Sequence, residues 1–270
     1  MADLAGRRLG TRPWRVDRAV TAVQMRSALL LPDGESLDAG RAIWTLSSTP
    51  LRAANGVIRY DATDFHGADS ERDLDNCLAV LSTYDVPWQF SAWAHLGADL
   101  LVPQLAARGM TGTSTAEAMW LDLGGRPEPG AEDEGIDVRP AKTPSCHRAW
   151  TQIFTKVFGT PRNYCDVFEQ MVARADSYGF VAYADGLPVG CVSMELERGI
   201  AVVKDIGVLP AARRRGVGRH LLEAANTAAA MRGATASVVV AERDGSALCT
   251  RLGYRAVTSV AYLTPAGQRS

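Results

Sequence analysis

In residues 136–270, apolar residues recur about every 3.6 positions in some segments, as in helices, and form alternating or continuous apolar runs in others, as in strands. Over residues 145–158 the apolar side chains fall on one helical face, and residues 163–175 repeat that spacing. Runs rich in β-branched and apolar residues predict strands at 136–140, 180–184, 189–196, 200–209, 234–241 and 256–263. Helical patterns at 219–232 and 244–252 separate the last three of these strands. This order predicts an α/β (α+β) fold in which helices flank a mixed sheet.

Residues 1–123 alternate in the same way between the two periods. Helices are predicted at 16–31, 70–82 and 98–108, and strands at 41–46, 57–60, 88–94 and 113–123. The stretch 124–135, GGRPEPGAEDEG, has no apolar period and is rich in Gly, Pro and acidic residues, which is typical of a linker. The pattern therefore predicts two domains, residues 1–123 and 136–270.

A glycine loop lies between the strand at 200–209 and the helix at 219–232. It reads Arg213-Arg-Arg-Gly216-Val-Gly218, and Pro210 precedes it. Glycines let backbone N–H groups approach an anion closely, and a helix N-terminus adds positive potential. The spacing excludes a P-loop, G-x-x-x-x-G-K-[ST], and a G-x-G-x-x-G dinucleotide site. A solvated charged turn and a nucleic-acid patch are the alternative interpretations of the arginines.

The succession of strand, V-x-P, R-x-x-G-x-G and helix resembles motif A of the GNAT superfamily, the Gcn5-related N-acetyltransferases. The residues that carry the resemblance are Ile206, Val208, Pro210, Arg213, Gly216 and Gly218, with Leu221 and Leu222 on the helix. Residues 244–254 resemble motif B of the same family. The resemblance covers residues 136 to about 265 and implies the GNAT acyl-CoA N-acyltransferase fold.

Motif A of that family wraps the pyrophosphate of acetyl-CoA, so the resemblance implies acetyl-CoA as co-substrate. Ile206, Gly207 and Val208 would hold the pantetheine and polarise the acetyl carbonyl through backbone N–H groups. The residues implied for the pyrophosphate are Arg213, Arg214, Arg215, Gly216, Val217, Gly218 and Arg219.

The chain departs from the family at the positions expected to move protons. Cys249 stands where motif B usually has the tyrosine that protonates the leaving thiolate, so its thiol is either the acid or a small apolar core residue. The strand before the loop lacks the usual glutamate, which makes Glu195 the first candidate for the base. Glu197 and Asp205 follow as candidates. Alternation along the strand predicts that Asp205 points to the opposite face, where it would be a structural partner for a basic residue.

The first half contains a weak echo of the second. Residues 105–121 parallel residues 251–263, which suggests a duplication and a degenerate GNAT-like N-terminal domain, as in tandem GNAT proteins. Its counterpart of the glycine loop, residues 65–73, carries Asp69, Glu71 and Asp73, which would repel a pyrophosphate. We expect Ser70 or Asp69 to cap the helix there. One acyl-CoA site per chain is therefore predicted.

The amino-acid composition indicates the cellular compartment and excludes some classes of binding partner. The net charge of −1 and a pI of about 6.4 imply no general attraction to nucleic acid or to a membrane surface. Five scattered cysteines without a C-x-x-C pair fit a reducing cytoplasm, and four histidines without ligand spacing predict no metal site. A homodimer is compatible with the composition.

These observations predict a cytoplasmic N-acetyltransferase. It would move an acetyl group from acetyl-CoA to a primary amine, expected on a small molecule, by direct attack in a ternary complex. Two other interpretations stay open: an acyl-CoA-binding pseudoenzyme or sensor, and an enzyme that acetylates protein N-termini or lysines.

Overall fold

The computed structural model describes residues 12–124 and 135–268. They divide into two compact units, one comprising residues 12–118 and 256–268 and the other lying within Met119–Arg255. Most of the predicted linker falls outside the described residues. The closing strand groups with the first unit, whereas the pattern predicts it in the second domain. The reason is strand pairing, because Val260 lies opposite Trp93.

The second unit has a sheet with helices on both faces. Its strands are β6 (Ile136–Pro140), β7 (Ser177–Ala184), β8 (Leu187–Glu197), β9 (Ile200–Val208) and β10 (Ala236–Ala241), and its helices are α4 (Pro144–Phe158), α5 (Cys165–Ala173), α6 (Val217–Met231) and α7 (Arg243–Arg251). Strands β6 to β9 pair antiparallel in chain order. Strand β10 is parallel to β9 because α6 crosses between them. Positive φ angles at Asp185 and Gly186 form the predicted hairpin turn.

Two helices of this unit illustrate the local signals that made them predictable, which are capping residues and a buried apolar face. Helix α4 begins after Thr143, whose side chain accepts a hydrogen bond from Cys146 N–H, and ends at Gly159 in the left-handed region. Its apolar face packs on β8 and β9. Helix α6 buries Leu221 and Leu222 in the main core of the unit. The strands β8 and β9 are thus held on both faces.

The first unit also combines a sheet with helices, and its strands β1 to β4 are only four or five residues long. Its elements are α1 (Arg12–Ala28), β1 (Glu35–Asp38), β2 (Ala42–Leu46), β3 (Gly56–Tyr60), α2 (Gly67–Leu81), β4 (Gln89–Trp93), α3 (Ala98–Ala107), the start of β5 (Met110–Asp122) and β11 (Arg255–Pro265). The pattern does not predict β1, because Glu-Ser-Leu-Asp has no apolar run and the strand forms by pairing with β2. Helix α2 is capped by His66, so the predicted cap at Ser70 or Asp69 is wrong. The Ser70 hydroxyl instead donates to His66 O within the first turn.

Strand pairing is the same in the two units. In the first, β1–β2 and β2–β3 are antiparallel and β3–β4 is parallel. In the second, β7–β8 and β8–β9 are antiparallel and β9–β10 is parallel. A register shift lies between β2 and β3 in the first unit and between β8 and β9 in the second. The origin of the two units by duplication stays a prediction.

A buried ionic group ties α1 to the sheet of the first unit. Asp17 is fully buried, and its Oδ2 lies 2.9 Å from Arg59 Nε on β3 and 3.3 Å from His95 Nε2. The other ring nitrogen of His95 is 2.9 Å from Thr258 Oγ1. Removing one member of a buried pair leaves the other charge uncompensated, which is more costly than the loss of an exposed pair.

We predict that Asp17→Asn lowers the free energy of unfolding by about 3 kcal/mol. Urea unfolding followed by circular dichroism measures the change. Asp69→Asn is the matched control, because Asp69 pairs with Arg72 on the exposed surface of α2. Equal effects of the two substitutions would contradict the structural role given to Asp17.

Candidate functional site

The site begins at a β-bulge on β9. Cys191 pairs with Gly207 and Ser193 pairs with Lys204, so Val192 on β8 faces two residues, Asp205 and Ile206, on β9. Asp205 adopts φ 57°, a left-handed conformation that is uncommon for a residue with a side chain. An extra residue changes which backbone groups face each neighbouring strand.

Beyond the bulge, β9 separates from β10. Their parallel pairing runs from Ile200–Ala236 to Val203–Val239 and ends there, although β9 continues to Val208. Leu209 N–H donates to Val189 O, so the N–H group of Leu209 points towards β8. By alternation the N–H groups of Ile206 and Val208 face the opposite way, into the gap beside β10. The gap therefore presents strand donors that no rung of the β9–β10 ladder uses.

The predicted anion loop lies at the end of β9. Pro210 starts a short 3-10 turn, and the Arg213 guanidinium donates from Nε to Val208 O at 3.2 Å. Gly216 caps α6 with φ 84° and has no side chain that could occupy the helix N-terminus. The first turn of α6 contains no acidic residue. The N–H groups of Val217, Gly218 and Arg219 are thus presented to an external acceptor.

Two other glycines allow the loop to pack this closely. A Cβ on Gly190 would lie 2.7 Å from Val217 Cγ1, so only glycine lets β8 pass under the start of α6. A Cβ on Gly218 would lie 3.1 Å from Leu248 Cδ2 of α7. The glycine spacing therefore serves packing as well as access to the anion.

Arginines surround this helix start. Arg213, Arg214 and Arg215 are exposed. Arg215 lies 3.6 Å from Asp185, and Arg219 pairs with Glu223 one turn further along α6 at 2.8 Å. The loop thus combines backbone donors, the helix dipole and exposed guanidinium groups, which together favour a polyanionic ligand such as a pyrophosphate.

The predicted base candidates lie on one face of the sheet, but each has a partner. Glu195 is buried, and its Oε1 lies 2.9 Å from Lys204 Nζ. Asp205 Oδ2 accepts a hydrogen bond from Ser193 Oγ at 2.5 Å. The prediction that Asp205 points to the opposite face is wrong, because the bulge interrupts the alternation and turns its carboxylate towards Ser193.

The predicted acid is a core residue. Cys249 is 1% exposed within the main apolar cluster of the unit, and burial raises the pKa of its thiol to about 11. Tyr254 is buried beside it, and its hydroxyl is hydrogen-bonded to Ser237 and Asn226. Burial raises the pKa of Tyr254 as well. This placement favours the small apolar interpretation of Cys249.

Sequence reasoning did not identify the contacts that surround the bulge. Trp150 on α4 donates from its indole N–H to Val192 O at 2.9 Å. Ser193 is buried and bonded to Asp205, and Cys191 Sγ donates to Asp205 O at 3.6 Å. The pattern indicates only that Trp150 and Cys191 are apolar, since a register shift has no signature in sequence spacing.

The corresponding gap of the first unit is occupied. Its parallel strands pair only at Gly56–Gln89 and Val57–Phe90. Beyond these pairs the Trp93 indole N–H donates across to Ile58 O at 3.1 Å, and Ala62 N–H donates to Leu96 O at 2.8 Å. Asp69 lies in the first turn of α2. In this unit hydrogen bonds therefore bridge the two parallel strands beyond their paired residues, and an acidic residue lies in the first turn of the helix.

Within residues 12–124 and 135–268, no helix combines the length and the apolar character that crossing a membrane requires. Nor do the described residues bring together three His, Cys, Asp or Glu side chains in a group that could hold a metal ion.

Comparison with known proteins supports the motif assignment. The family model described as an acetyltransferase (GNAT) domain matches residues 175–256. No curated protein matches the sequence.

Three solved structures illustrate the fold. A GCN5-related N-acetyltransferase from Kribbella flavida aligns over 94% of this chain and 96% of its own, with 17% identity and a TM-score of 0.70. One from Sphaerobacter thermophilus aligns over 85% of this chain and 82% of its own, with 18% identity and a TM-score of 0.64. A tandem GNAT protein from the clavulanic acid biosynthesis pathway aligns over 92% and 89%, with 18% identity and a TM-score of 0.60.

The family match spans β7 to α7, the elements that form the bulge, the gap and the anion loop, and the aligned structures share the fold of the chain. Residues 175–256 therefore contain a GNAT acetyltransferase domain, which supports a GNAT-type acetyltransferase.

Proposed function

We propose that the second unit binds acetyl-CoA and transfers its acetyl group to a primary amine. The observation that carries this proposal is the open end of the β9–β10 pairing, which leads directly into the uncapped N-terminus of α6. Strand donors and helix donors are continuous there, as a ligand with an acyl thioester at one end and a pyrophosphate at the other requires. The residues present fit that ligand.

Each segment of the site has a distinct action in this proposal. The loop residues Arg213 to Arg219 bind the pyrophosphate through N–H groups and guanidinium groups. The N–H groups of Ile206 and Val208 point into the gap and stabilise negative charge that develops on the acetyl oxygen as the amine attacks. No metal is needed for this chemistry. The transfer proceeds in a ternary complex, with the thiolate of CoA as leaving group.

None of the residues predicted to move protons is available as a base or an acid. This observation favours a second candidate function. Glu195 is bound to Lys204, Asp205 to Ser193, and Cys249 is enclosed in the core. A chain with acetyl-CoA affinity and little turnover would have these features. The second candidate function is therefore an acyl-CoA-binding sensor.

The acceptor is proposed by class only. We propose a primary amine of a small molecule in the cytoplasm, with a protein N-terminus or lysine as the other acceptor class. The first unit has the same strand pairing as the second but an occupied gap. We therefore propose that it is a degenerate GNAT-like domain and that each chain binds one acyl-CoA.

Thiol release from acetyl-CoA, measured over a panel of small amines and amine-containing peptides, separates these functions. Turnover on a small amine supports the transferase, and turnover on peptides alone moves the proposal to protein acetylation. Tight binding of acetyl-CoA with no turnover on either class would contradict the transferase and support the sensor.

Gly216→Glu should weaken acetyl-CoA binding at least tenfold, about 1.4 kcal/mol, because it places a carboxylate at the N-terminus of α6. Gly216 adopts φ 84°, so the substitution also strains the backbone, and a control must separate that strain from the charge. Calorimetric titration measures the affinity.

Gly233→Glu is the matched control for that substitution. Gly233 follows the C-terminus of the same helix, also has a positive φ, 82°, and a Cβ there would meet no atom within 4 Å. Affinity should be unchanged in this variant. Equal losses in both variants would show that backbone strain, not the anion site, explains the effect.

Cys249→Ala should leave the turnover rate within about twofold of the wild type, because a buried thiol with a raised pKa is a poor proton donor at neutral pH. The substitution should lower stability by about 1 kcal/mol through the small cavity it creates. Steady-state kinetics and thermal unfolding check both expectations. A large fall in the rate with unchanged affinity and stability would assign the acid to Cys249.

A further inference from the structure

The bulge on β9 decides which backbone groups enter the gap. On the N-terminal side of the bulge, Val202 and Lys204 pair with Glu195 and Ser193 on β8. On its C-terminal side, Gly207 pairs with Cys191. Between Lys204 and Gly207 the alternation of backbone N–H groups, which point in turn towards β8 and away from it, therefore shifts by one residue. Without the extra residue, Gly207 N–H would face the gap in place of Ile206 and Val208.

The bulge has an intrinsic cost that something must offset. Asp205 sits at φ 57°, where a residue with a Cβ is disfavoured by about 1 kcal/mol, although aspartate tolerates this region better than most residues. Two hydrogen bonds hold it there. Ser193 Oγ donates to its carboxylate at 2.5 Å, and Cys191 Sγ donates to its carbonyl oxygen at 3.6 Å.

A third contact fixes the opposite strand. Val192, the β8 residue that faces the bulge, accepts the Trp150 indole N–H at 2.9 Å. Trp150 is 3% exposed, and its ring stacks on Phe154 at 5.1 Å between centroids, so α4 holds the donor rigidly. The Trp150 hydrogen bond is buried and the two hydrogen bonds to Asp205 are partly buried, so the loss of any one of them leaves a polar group shielded from water.

We propose that Ser193 and Asp205, supported by Trp150, are positioning residues for acetyl transfer. They hold the register shift on β9 and thereby aim the Ile206 and Val208 N–H groups at the acetyl carbonyl. This inference rests on the proposed function. Asp205 then acts through the backbone of its own strand, so the transfer does not use its carboxylate as a base.

The test uses Ser193→Ala, which removes the hydroxyl and leaves the Asp205 carboxylate in place. The matched control is Ser237→Ala on β10, another fully buried serine, whose hydroxyl bonds to Tyr254 away from the bulge. We expect Ser193→Ala to lower kcat about tenfold and to leave the acetyl-CoA dissociation constant within about twofold. That loss is smaller than the 100-fold or more that follows outright removal of an oxyanion donor. Ser237→Ala should change neither kinetic quantity, whatever its effect on stability.

A second substitution covers the case in which Ser193→Ala does not fold. Trp150→Phe keeps an aromatic ring and removes the N–H. Its control is Trp93→Phe, because Trp93 is also buried and also donates to a strand carbonyl, Ile58 O, in the first unit. Trp150→Phe should lower kcat about as much as Ser193→Ala, and Trp93→Phe should not.

Infrared spectra of bound acetyl-CoA labelled with ¹³C at the carbonyl provide a readout that needs no acceptor. Hydrogen bonds from β9 should lower the carbonyl stretching frequency in the wild type, and Ser193→Ala and Trp150→Phe should reverse part of that shift. A wild-type frequency in both variants, or equal reversal in the two controls, would overturn the positioning role. Higher activity in Ser193→Ala would also overturn it, because it would indicate that Asp205 is a base released from its partner. Failure of the wild type to bind acetyl-CoA would instead overturn the proposed function, and this inference with it.

Discussion

The register shift on β9 is the feature on which the rest of the site depends. Strand β9 pairs antiparallel with β8 on one side and parallel with β10 on the other, and the inserted residue lies just beyond the last β9–β10 pair. The strand therefore separates from β10 and changes phase at nearly the same point. Separation opens the gap, and the change of phase supplies N–H groups to it. The loop and the start of α6 continue that line of donors.

The two units show how one strand arrangement can be open or closed. Each has antiparallel, antiparallel and parallel pairings in the same order, with an irregular register before its crossover helix. In the second unit the helix begins at a glycine, and a glycine on β8 lets it pack closely. In the first unit the gap is bridged by the Trp93 side chain, and the helix begins at His66 with an acidic first turn. Side chains at a few positions, rather than the topology, therefore distinguish the two units at the end of their parallel strand pair.

Elements with a clear period were predictable from the sequence. The face of α4 and the strand β6 appear within one residue of their predicted limits, because one side of each is buried and the apolar spacing records that burial. The loop between β9 and α6 was predictable as well, since glycine and arginine spacing is local, whereas its binding of an anion stays a prediction. Strand β1 was not predictable, because its pairing with β2 creates it and its residues are polar.

The catalytic assignments depended on contacts that spacing does not record. Alternation assumes one residue per rung, so the bulge reversed the expected direction of the Asp205 side chain. The partner of Glu195 lies on another strand, and the burial of Cys249 depends on how α7 packs. Long-range packing therefore decided which of the predicted residues is accessible for chemistry.

Amide chemical shifts of the isotope-labelled protein, recorded during titration with acetyl-CoA, test the central claim most directly. The account predicts one binding event per chain, with the largest shifts at Gly216, Val217, Gly218 and Arg219 and at Ile206 and Val208. It predicts no comparable shifts between His66 and Ser70. Large shifts at the start of α2, or shifts that avoid the α6 N-terminus, would contradict the placement of the acyl-CoA site.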